Sequence, residues 1–214
     1  MHDQAVTRVL AVRHGETDWN TALRIQGHTD IELNERGRWQ AAQLAAALVG
    51  EELHAVYSSD LQRAHATAHA VAVNAGLAVR HEQGLRERGF GDFEGLTFAQ
   101  IEQRSPEQAR RWRQRDPGFA PGGGGETLQA FYARCVAAAE ALAARHRGQT
   151  VLLVAHGGVL DCLYRAATRV ALDAPRSWQL GNATVNRLLH TDDGFTLVGW
   201  NDAAHLQQDG GASA

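Results

Sequence analysis

The chain has 214 residues, of which 44% are hydrophobic and 21% charged, and these proportions exclude collagen-like, disordered and coiled-coil proteins. The formal net charge of -3 gives no bulk electrostatic reason to bind nucleic acid or an anionic membrane. All 21 of the Lys and Arg residues are arginine, which excludes Schiff-base and P-loop mechanisms because both need a lysine.

Cysteine usage and the apolar runs indicate a reducing compartment. The two cysteines, Cys135 and Cys162, stand in apolar, helix-like stretches, so a disulfide framework is not expected. Residues 1–7 lack the basic region and long apolar run of a secretory signal. The longest apolar runs are far shorter than the roughly 18 residues that cross a bilayer. We therefore expect a cytoplasmic protein, with one domain over 1–206 and a flexible tail over 207–214.

Short apolar strands alternate with helices in the first part of the chain. The pattern predicts a strand over 8–12, a helix from Asn34 to about Val49, a strand over 55–58, a helix over 60–75 and a strand over 77–81. From Glu87 to Gly125 the apolar periodicity weakens while glycine and arginine accumulate. This middle segment is typical of a lid, and we place the lid at about 90–125.

The second part of the chain returns to regular elements. It contains a predicted helix over 126–146, a buried strand over 150–155, a helix over 158–168 and a hairpin with strands 186–190 and 195–200. Strands that alternate with helices favour an α/β fold, with a mostly parallel central sheet flanked by helices and a small inserted lid.

Two strands end in a histidine followed by glycine, and ligands of open α/β sheets bind beyond the carboxyl ends of strands. Arg13-His14-Gly15 follows the first strand, and His156-Gly157 follows the strand over 150–155. A neutral imidazole is a good nucleophile, glycine lets a ligand approach the backbone closely, and arginine matches phosphate oxygens. The first motif therefore predicts a phosphoryl acceptor with its own anion clamp, the alternative being a strand-end histidine that only hydrogen-bonds its loop.

Two further motifs strengthen this interpretation. Arg63 lies near the start of the predicted helix in "YSSDLQRAHATA", where a helix N-terminus already favours anions. Glu87 lies in "LRERGFGDFEG" between Arg86 and Arg88, which would lower its pKa if they faced it. In an extended segment both neighbours point to the opposite face, so Glu87 remains a candidate general acid.

Five separated motifs occur in the order usual for one family: "RHGETDWN", "IQGHTDIELNERG", "YSSDLQRAHATA", "LRERGFGDFEG" and "VAHGG". Over nearly its whole length the chain resembles the histidine phosphatase superfamily, which has the phosphoglycerate mutase-like fold. The resemblance implies a cofactor-free and metal-independent enzyme with His14 as the phosphorylated nucleophile and Glu87 as the proton donor. The other implied site residues are Arg13, Arg63 and His156 around the phosphoryl group, and Asn20, Gln26, Gly27 and Gly157 in the phosphate and substrate pocket.

Phosphatases and mutases of this superfamily differ at a few positions. Gly158 stands where the mutases have asparagine, and the chain lacks the lysine that mutases use in the lid. Arg110 and Arg111, in contrast, resemble a mutase arginine pair and favour a mutase. We therefore expect a phosphomonoester hydrolase acting on small phosphorylated metabolites, with phosphoglycerate mutase-type transfer as the alternative. The lid arginines suggest a second anionic group on the substrate. A homodimer is left open.

Other histidines and glycines support competing interpretations. His65 and His69 stand at i, i+4 on one helix face, a spacing that chelates zinc, although an ordinary helix surface fits them better. The Gly122–Gly125 run lacks the lysine of a P-loop and is interpreted as a joint, with Glu126 in the first turn of the next helix. Asn201 and His205 are expected to be structural. A catalytically dead binding module is disfavoured because His14, Glu87 and His156 are all present.

Overall fold

The structure, a computed structural model, describes residues 6–207 of the chain. Its strands are β1 (Thr7–Arg13), β2 (Ala55–Ser58), β3 (Val79–His81), β4 (Thr150–Ala155), β5 (Val185–Thr191) and β6 (Gly194–Asp202). Its α-helices are α1 (Asp18–Thr21), α2 (Glu35–Ala47), α3 (Gln62–Ala75), α4 (Phe98–Arg104), α5 (Pro106–Arg113), α6 (Leu128–Ala144) and α7 (Gly157–Thr168).

The six strands form one sheet in the order β3-β2-β4-β1-β5-β6. The four strands from β3 to β1 are parallel, whereas β5 and β6 add an antiparallel hairpin at one edge. Every residue of β4 is buried, as expected for an apolar strand that is covered on both faces. The predicted α/β fold with a mostly parallel sheet is confirmed.

Helices cover both faces of the sheet and create two apolar cores. Phe131 of α6 and Leu160 of α7 lie in the core on one face. Leu44 of α2 and Ala64 of α3 lie in the core on the other face. The helix limits follow from local signals, since the Asn34 side chain caps α2 and Gly76 closes α3 in the left-handed conformation.

The segment predicted as an irregular lid contains more regular structure than expected. Helices α4 and α5 lie within it, and a capping box formed by Thr97 and Gln100 opens α4. Phe93, Ile101, Ala109 and Phe119 form a third, small apolar cluster there. That these residues act as a lid stays a prediction.

The predicted tail lies, from residue 208 onward, outside the described residues. Within residues 6–207 no helix is long and apolar enough to span a bilayer.

Candidate active site

The two histidine-glycine motifs meet at one edge of the sheet. Strands β1 and β4 are parallel neighbours, and Arg13 pairs with Ala155 in the register. The next residue of each chain segment is a histidine, and the ring centroids of His14 and His156 lie 5.2 Å apart. Adjacent parallel strands therefore bring both imidazoles to the same edge of the sheet, the edge at which ligands of open α/β sheets bind.

The imidazole of His14 is buried and held in one tautomer. Its Nδ1 lies 2.7 Å from the carbonyl oxygen of Gly15, so Nδ1 carries the proton and donates it to that oxygen. Nε2 then keeps a free lone pair. Burial, followed by the charges of Arg63 and Arg13, holds the pKa of His14 well below 6.5. The ring is therefore neutral and oriented for attack through Nε2.

Two arginines place positive charge beside this ring. Arg63, at the start of α3, is fully buried and donates to the carbonyls of Thr29 and Gly27 at 2.9 and 2.8 Å. Arg13 donates to the carbonyl of Leu180 at 2.7 Å. The Nε atoms of both arginines are buried without a partner in the described chain. Burial lowers the pKa of Arg63 to about 10, so it remains charged near neutral pH.

His156 is the least satisfied polar side chain of the site. It is fully buried, and neither ring nitrogen has a hydrogen-bond partner within residues 6–207. Burial and the charge of Arg63 keep its pKa well below 6.5. Buried polar atoms without partners are costly, and such atoms cluster where a ligand supplies the missing bond. His156 is therefore well suited to an anionic ligand.

Backbone amides hold the carboxyl group of Glu87 in place. Its Oε1 accepts from the amide of Arg88 at 2.9 Å, and its Oε2 accepts from the amide of Gly158 at 3.0 Å. The Arg86 guanidinium pairs instead with Asp60 at 2.5 Å. The Arg88 guanidinium donates to the carbonyls of Glu126 and Phe119. The expectation that both neighbours point away from Glu87 holds for Arg86 but is wrong for Arg88, which lines one cavity together with Glu87 and lies within electrostatic range of it, although no hydrogen bond joins the two side chains.

The predicted pocket residues surround a cavity of about 180 Å³ next to His14. Arg13, His14, Asn20, Gln26, Gly27, Arg63 and Glu87 all line it. The Gln26 Oε1 atom is buried and unpartnered among the described residues. Gly27 has φ +52°, and an added Cβ would overlap Glu94, so this close turn needs glycine. Gly157 lines an adjoining cavity together with Arg13.

Three side chains that shape this site escaped the sequence analysis. The Asn182 amide donates to the carbonyl of His14 at 2.9 Å. The hydroxyl of Thr67 accepts from the amide of Gly15 at 2.9 Å. Glu94 accepts from the amides of His28 and Thr29 and so fixes the loop under Arg63. Glu94 lies in a quoted motif, whereas Asn182 carries no sequence signal because its contact is purely tertiary.

The competing interpretations have different outcomes. His65 stacks on His69 and lies 2.9 Å from His81, but no group of three or more potential ligands in residues 6–207 could hold a metal ion. Asn201 and His205 support the backbone, since Asn201 Oδ1 accepts from Gly181 and His205 bonds the carbonyl of Ala183.

The prediction that Glu126 lies in the first turn of a helix is wrong. Thr127 is the N-cap of α6, so the helix begins after Glu126. The carboxylate of Glu126 accepts instead from Gly89 and pairs with Arg134 at 2.7 Å. These bonds connect two loops rather than capping a helix.

A family model of the histidine phosphatase superfamily (branch 1) matches residues 9–203. The chain belongs to this superfamily. A phosphoglycerate mutase-like protein 4 of Arabidopsis thaliana is 37% identical over 97% of this chain and 90% of its own length. A metal-independent phosphoserine phosphatase of the same plant is 37% identical over 97% of this chain and 87% of its own length.

The likeness extends to a solved structure of a mycobacterial glucosyl-3-phosphoglycerate phosphatase in complex with VO3. It superposes with a TM-score of 0.82 at 36% identity, over 91% of this chain and 99% of that one. These relatives confirm the predicted superfamily and the predicted class of enzyme, a phosphoric monoester hydrolase.

Proposed function

We propose that this histidine phosphatase hydrolyses small phosphomonoesters through a phosphohistidine on His14. One observation carries the proposal: the free Nε2 of a buried, neutral imidazole faces a cavity that Arg13, Arg63 and Glu87 also line. One relative is named a phosphoserine phosphatase and another a glucosyl-3-phosphoglycerate phosphatase. These names support a small phosphorylated metabolite as the substrate.

In the first step the Nε2 lone pair of His14 attacks phosphorus in line with the ester oxygen. The P–N bond forms as the P–O bond to the leaving group breaks, and Glu87 gives its proton to the leaving oxygen. In the second step water attacks phosphorus, Glu87 takes the proton from that water, and the P–N bond breaks. Inorganic phosphate leaves, and His14 and protonated Glu87 are restored.

Stabilisation of the negative charge on the phosphoryl group should account for much of the rate enhancement. The transferring phosphoryl group carries spread negative charge, which preorganised donors stabilise strongly in a site that excludes water. Arg63 and Arg13 each have a buried, unpartnered Nε atom, and both nitrogens of His156 are free. Gln26 and Gly157 complete the phosphate pocket in this proposal, together with Asn20 and Gly27.

Hydrolysis is favoured over mutase-type transfer because position 158 leaves no room for a side chain. A Cβ at Gly158 would overlap the Oε1 atom of Glu87 and lie 3.0 Å from the Phe131 ring. The asparagine that the mutases carry there would displace Glu87 from its bonded position. The side chain of Glu87 therefore occupies the place that a mutase-type residue needs.

Turnover of p-nitrophenyl phosphate in excess chelator tests the proposal, with His14→Ala beside the wild type. We expect chelator-resistant activity in the wild type and none above background in the variant. Activity that disappears with chelator, or a variant of near-normal turnover, would contradict it. Feeding 3-phosphoglycerate separates the alternatives, since a phosphatase releases free phosphate whereas a mutase produces 2-phosphoglycerate.

We further propose a cytoplasmic location, because both cysteines are buried free thiols, as a reducing compartment favours. Fractionation of the producing cell checks this: the protein should be found with the cytoplasmic markers.

A further inference from the structure

A second cavity of about 190 Å³ adjoins the phosphate pocket and shares Glu87 with it. Because Glu87 protonates the leaving oxygen in the proposed function, the second cavity is where the leaving group lies. Its walls combine charged side chains with four aromatic ones, Phe90, Trp112, Phe119 and Phe131. A cavity of about 150 Å³ holds a benzene molecule, so this one fits a small leaving group.

Positive charge exceeds negative charge around this cavity. Of its three lining carboxylates, Asp116 pairs with Arg111 at 2.7 Å, and Asp161 pairs both with Arg115 at 2.7 Å and with the buried Arg165 at 3.0 Å. Glu87 is the third and is protonated when it acts as acid. The three arginines that line the cavity are Arg88, Arg115 and Arg176. An anion in the cavity would balance this excess.

Arg88 is a buried cation with one nitrogen to spare. Arg88 is only 4% exposed, and its Nε and Nη2 atoms donate to the carbonyls of Glu126 and Phe119. Its Nη1 atom has no bond to any described residue. Burial lowers the pKa of Arg88 to about 10, so the group stays charged at neutral pH. A buried guanidinium without a carboxylate partner favours an anionic ligand.

Arg115 connects the segment of α4 and α5 to the opposite wall. Its Nε donates to the carbonyl of Leu172 at 3.0 Å, and its Nη2 donates to Asp161 at 2.7 Å. Arg115 adopts φ +54°, a left-handed conformation that non-glycine residues rarely take. Strained backbone of this kind clusters at ligand clamps.

Arg176 stands at the mouth, where two cavities meet. It lines the leaving-group cavity and also the cavity that Arg13 and Gly157 share. Its charge lowers the pKa of Arg13, which places the two guanidinium groups within electrostatic range of each other. Arg176 is exposed and has no ion pair or side-chain hydrogen bond within residues 6–207. It is the cation most available to a substrate.

We propose that Arg88, Arg115 and Arg176 form a subsite for a second anionic group on the leaving group, with Arg176 as the specificity-determining residue. The inference rests on the proposed function. A carboxylate and a second phosphate share the required chemistry, because both accept two parallel bonds from a guanidinium group. The preferred substrate is therefore a small phosphomonoester that carries another anion.

Two matched pairs of esters test this subsite, one with a short and one with a longer distance between the phosphate and the second anionic group. The first is phosphoglycolate and its amide, and the second is 4-carboxyphenyl phosphate and 4-carbamoylphenyl phosphate. Each pair keeps the shape and removes one charge. The readout is the ratio of kcat/KM for the acid to kcat/KM for the amide, and 1,4-phenylene bisphosphate reports on a second phosphate in place of the carboxylate.

For the wild type we expect kcat/KM to be about tenfold or more higher for the acid than for the amide in at least one pair. Alternatively, kcat/KM for 1,4-phenylene bisphosphate should exceed that for 4-carbamoylphenyl phosphate by the same factor. Arg176→Ala should reduce that preference about tenfold, whereas Arg176→Lys should retain part of it. Arg145→Ala is the matched control, and its ratio should equal the wild-type ratio. Arg145 is exposed at the C-terminal end of α6, whereas Leu128 and Phe131, which line the cavity, lie at the other end of that helix.

The outcomes separate the two proposals. If the wild type hydrolyses acids, amides and bisphosphate with equal kcat/KM, the subsite is wrong and the phosphatase stands. If Arg176→Ala keeps the wild-type preference, the assignment of Arg176 is overturned. If the wild type hydrolyses none of these esters and no p-nitrophenyl phosphate, the proposed function itself fails.

Discussion

Burial and two neighbouring guanidinium groups act together on the imidazole of His14. Desolvation is the largest cause of its lowered pKa, and the charges of Arg63 and Arg13 add to it. A protonated imidazole has no lone pair for attack, so the lowered pKa extends the nucleophilic form to lower pH. In the proposed mechanism the same arginines hold the phosphoryl group, and would thus serve both the nucleophile and its target.

We predict that His14 stays neutral in the free enzyme at pH 6.5, the value at which an ordinary histidine is half protonated. NMR titration of ring-labelled histidine, assigned with His14→Asn, measures this directly. The His14 signal should titrate below 6.5 or not at all before the protein unfolds. A midpoint at or above that value would contradict the account.

The same shift has a consequence for stability. Below 6.5 the unfolded chain binds protons at His14 and His156 that the folded chain does not bind, because both folded-state pKa values are lowered. The free energy of unfolding should therefore fall as pH decreases from about 6.5 toward the folded-state values. Urea titrations at several pH values check this, and His156→Asn should show a shallower decrease over that range.

At position 158 we predict that Gly158→Asn impairs catalysis by displacing Glu87. A general acid is worth about 10²–10⁴-fold, so turnover of an alkyl phosphate should fall within that range. Gly199→Ala is the control, because an added Cβ at Gly199 meets nothing within 4 Å. Unimpaired hydrolysis by Gly158→Asn would show that Glu87 is not the acid.

The sequence was sufficient for residues that follow strand ends and insufficient for those brought in by loops. The rule for open sheets marks His14 and His156 as two separate candidates from the sequence alone, whereas the pairing of β1 with β4 that brings them together is seen only in the structure. Arg176 and Asn182 reach the site from the segment between α7 and β5, whose path depends on tertiary packing. Nothing in the local sequence indicates where their side chains end.

At the scale of elements, α6 is a support for the segment that carries Glu87. Arg134 of α6 donates from Nη1 to the carbonyls of Gly84 and Arg86 at 3.0 and 3.2 Å, and from Nη2 to that of Glu87 at 3.3 Å. It also pairs with Glu126, which accepts from the amide of Gly89. One guanidinium group therefore fixes the backbone on both sides of Glu87, the proposed general acid.

We predict that Arg134→Ala misplaces Glu87 and so penalises esters with poor leaving groups. An alkyl phosphate needs a proton on its leaving oxygen, whereas 2,4-dinitrophenyl phosphate does not. Arg134→Ala and Glu87→Gln should both lower kcat/KM much more for the alkyl ester than for the dinitrophenyl ester. Arg147→Ala, which removes an exposed arginine paired with Asp192, is the control. Equal losses on both esters would leave Arg134 a purely structural role.

Predicted elements were accurate where one apolar pattern dominated. Strand β4 agrees with the predicted 150–155 because its six residues are apolar or β-branched and all are buried. Helices α4 and α5 were missed because their apolar residues are few and pack on a small cluster of their own. The capping box at Thr97 was a usable signal that the weak periodicity concealed.

At the scale of the whole molecule, the sheet order creates the site. The alternation of strands and helices predicts parallel strands, but not that β4 lies between β2 and β1. That order places the ends of β1 and β4 side by side. The helices that cover the two faces of the sheet bury a separate apolar core on each face. The cation-rich pocket at this edge is open to an anion and requires no metal in the proposed mechanism.

We predict that inorganic phosphate raises the Tm of the whole protein, because it binds the folded pocket and not the unfolded chain. The shift should increase with phosphate concentration and remain the same in excess chelator. Arg63→Gln, with a guanidinium removed from the pocket, should show a smaller shift, and sulfate at equal ionic strength controls for general salt effects. A shift that chelator abolishes would indicate a metal-dependent site.

The central claim is a covalent bond between phosphorus and Nε2 of His14. Rapid quenching in alkali during turnover of ³²P-labelled ester, followed by peptide mapping, tests it most directly. We predict an alkali-stable, acid-labile label on the peptide that contains His14, and no label in His14→Ala. A wild type that turns over the ester without any such adduct, or a label on another residue, would contradict it.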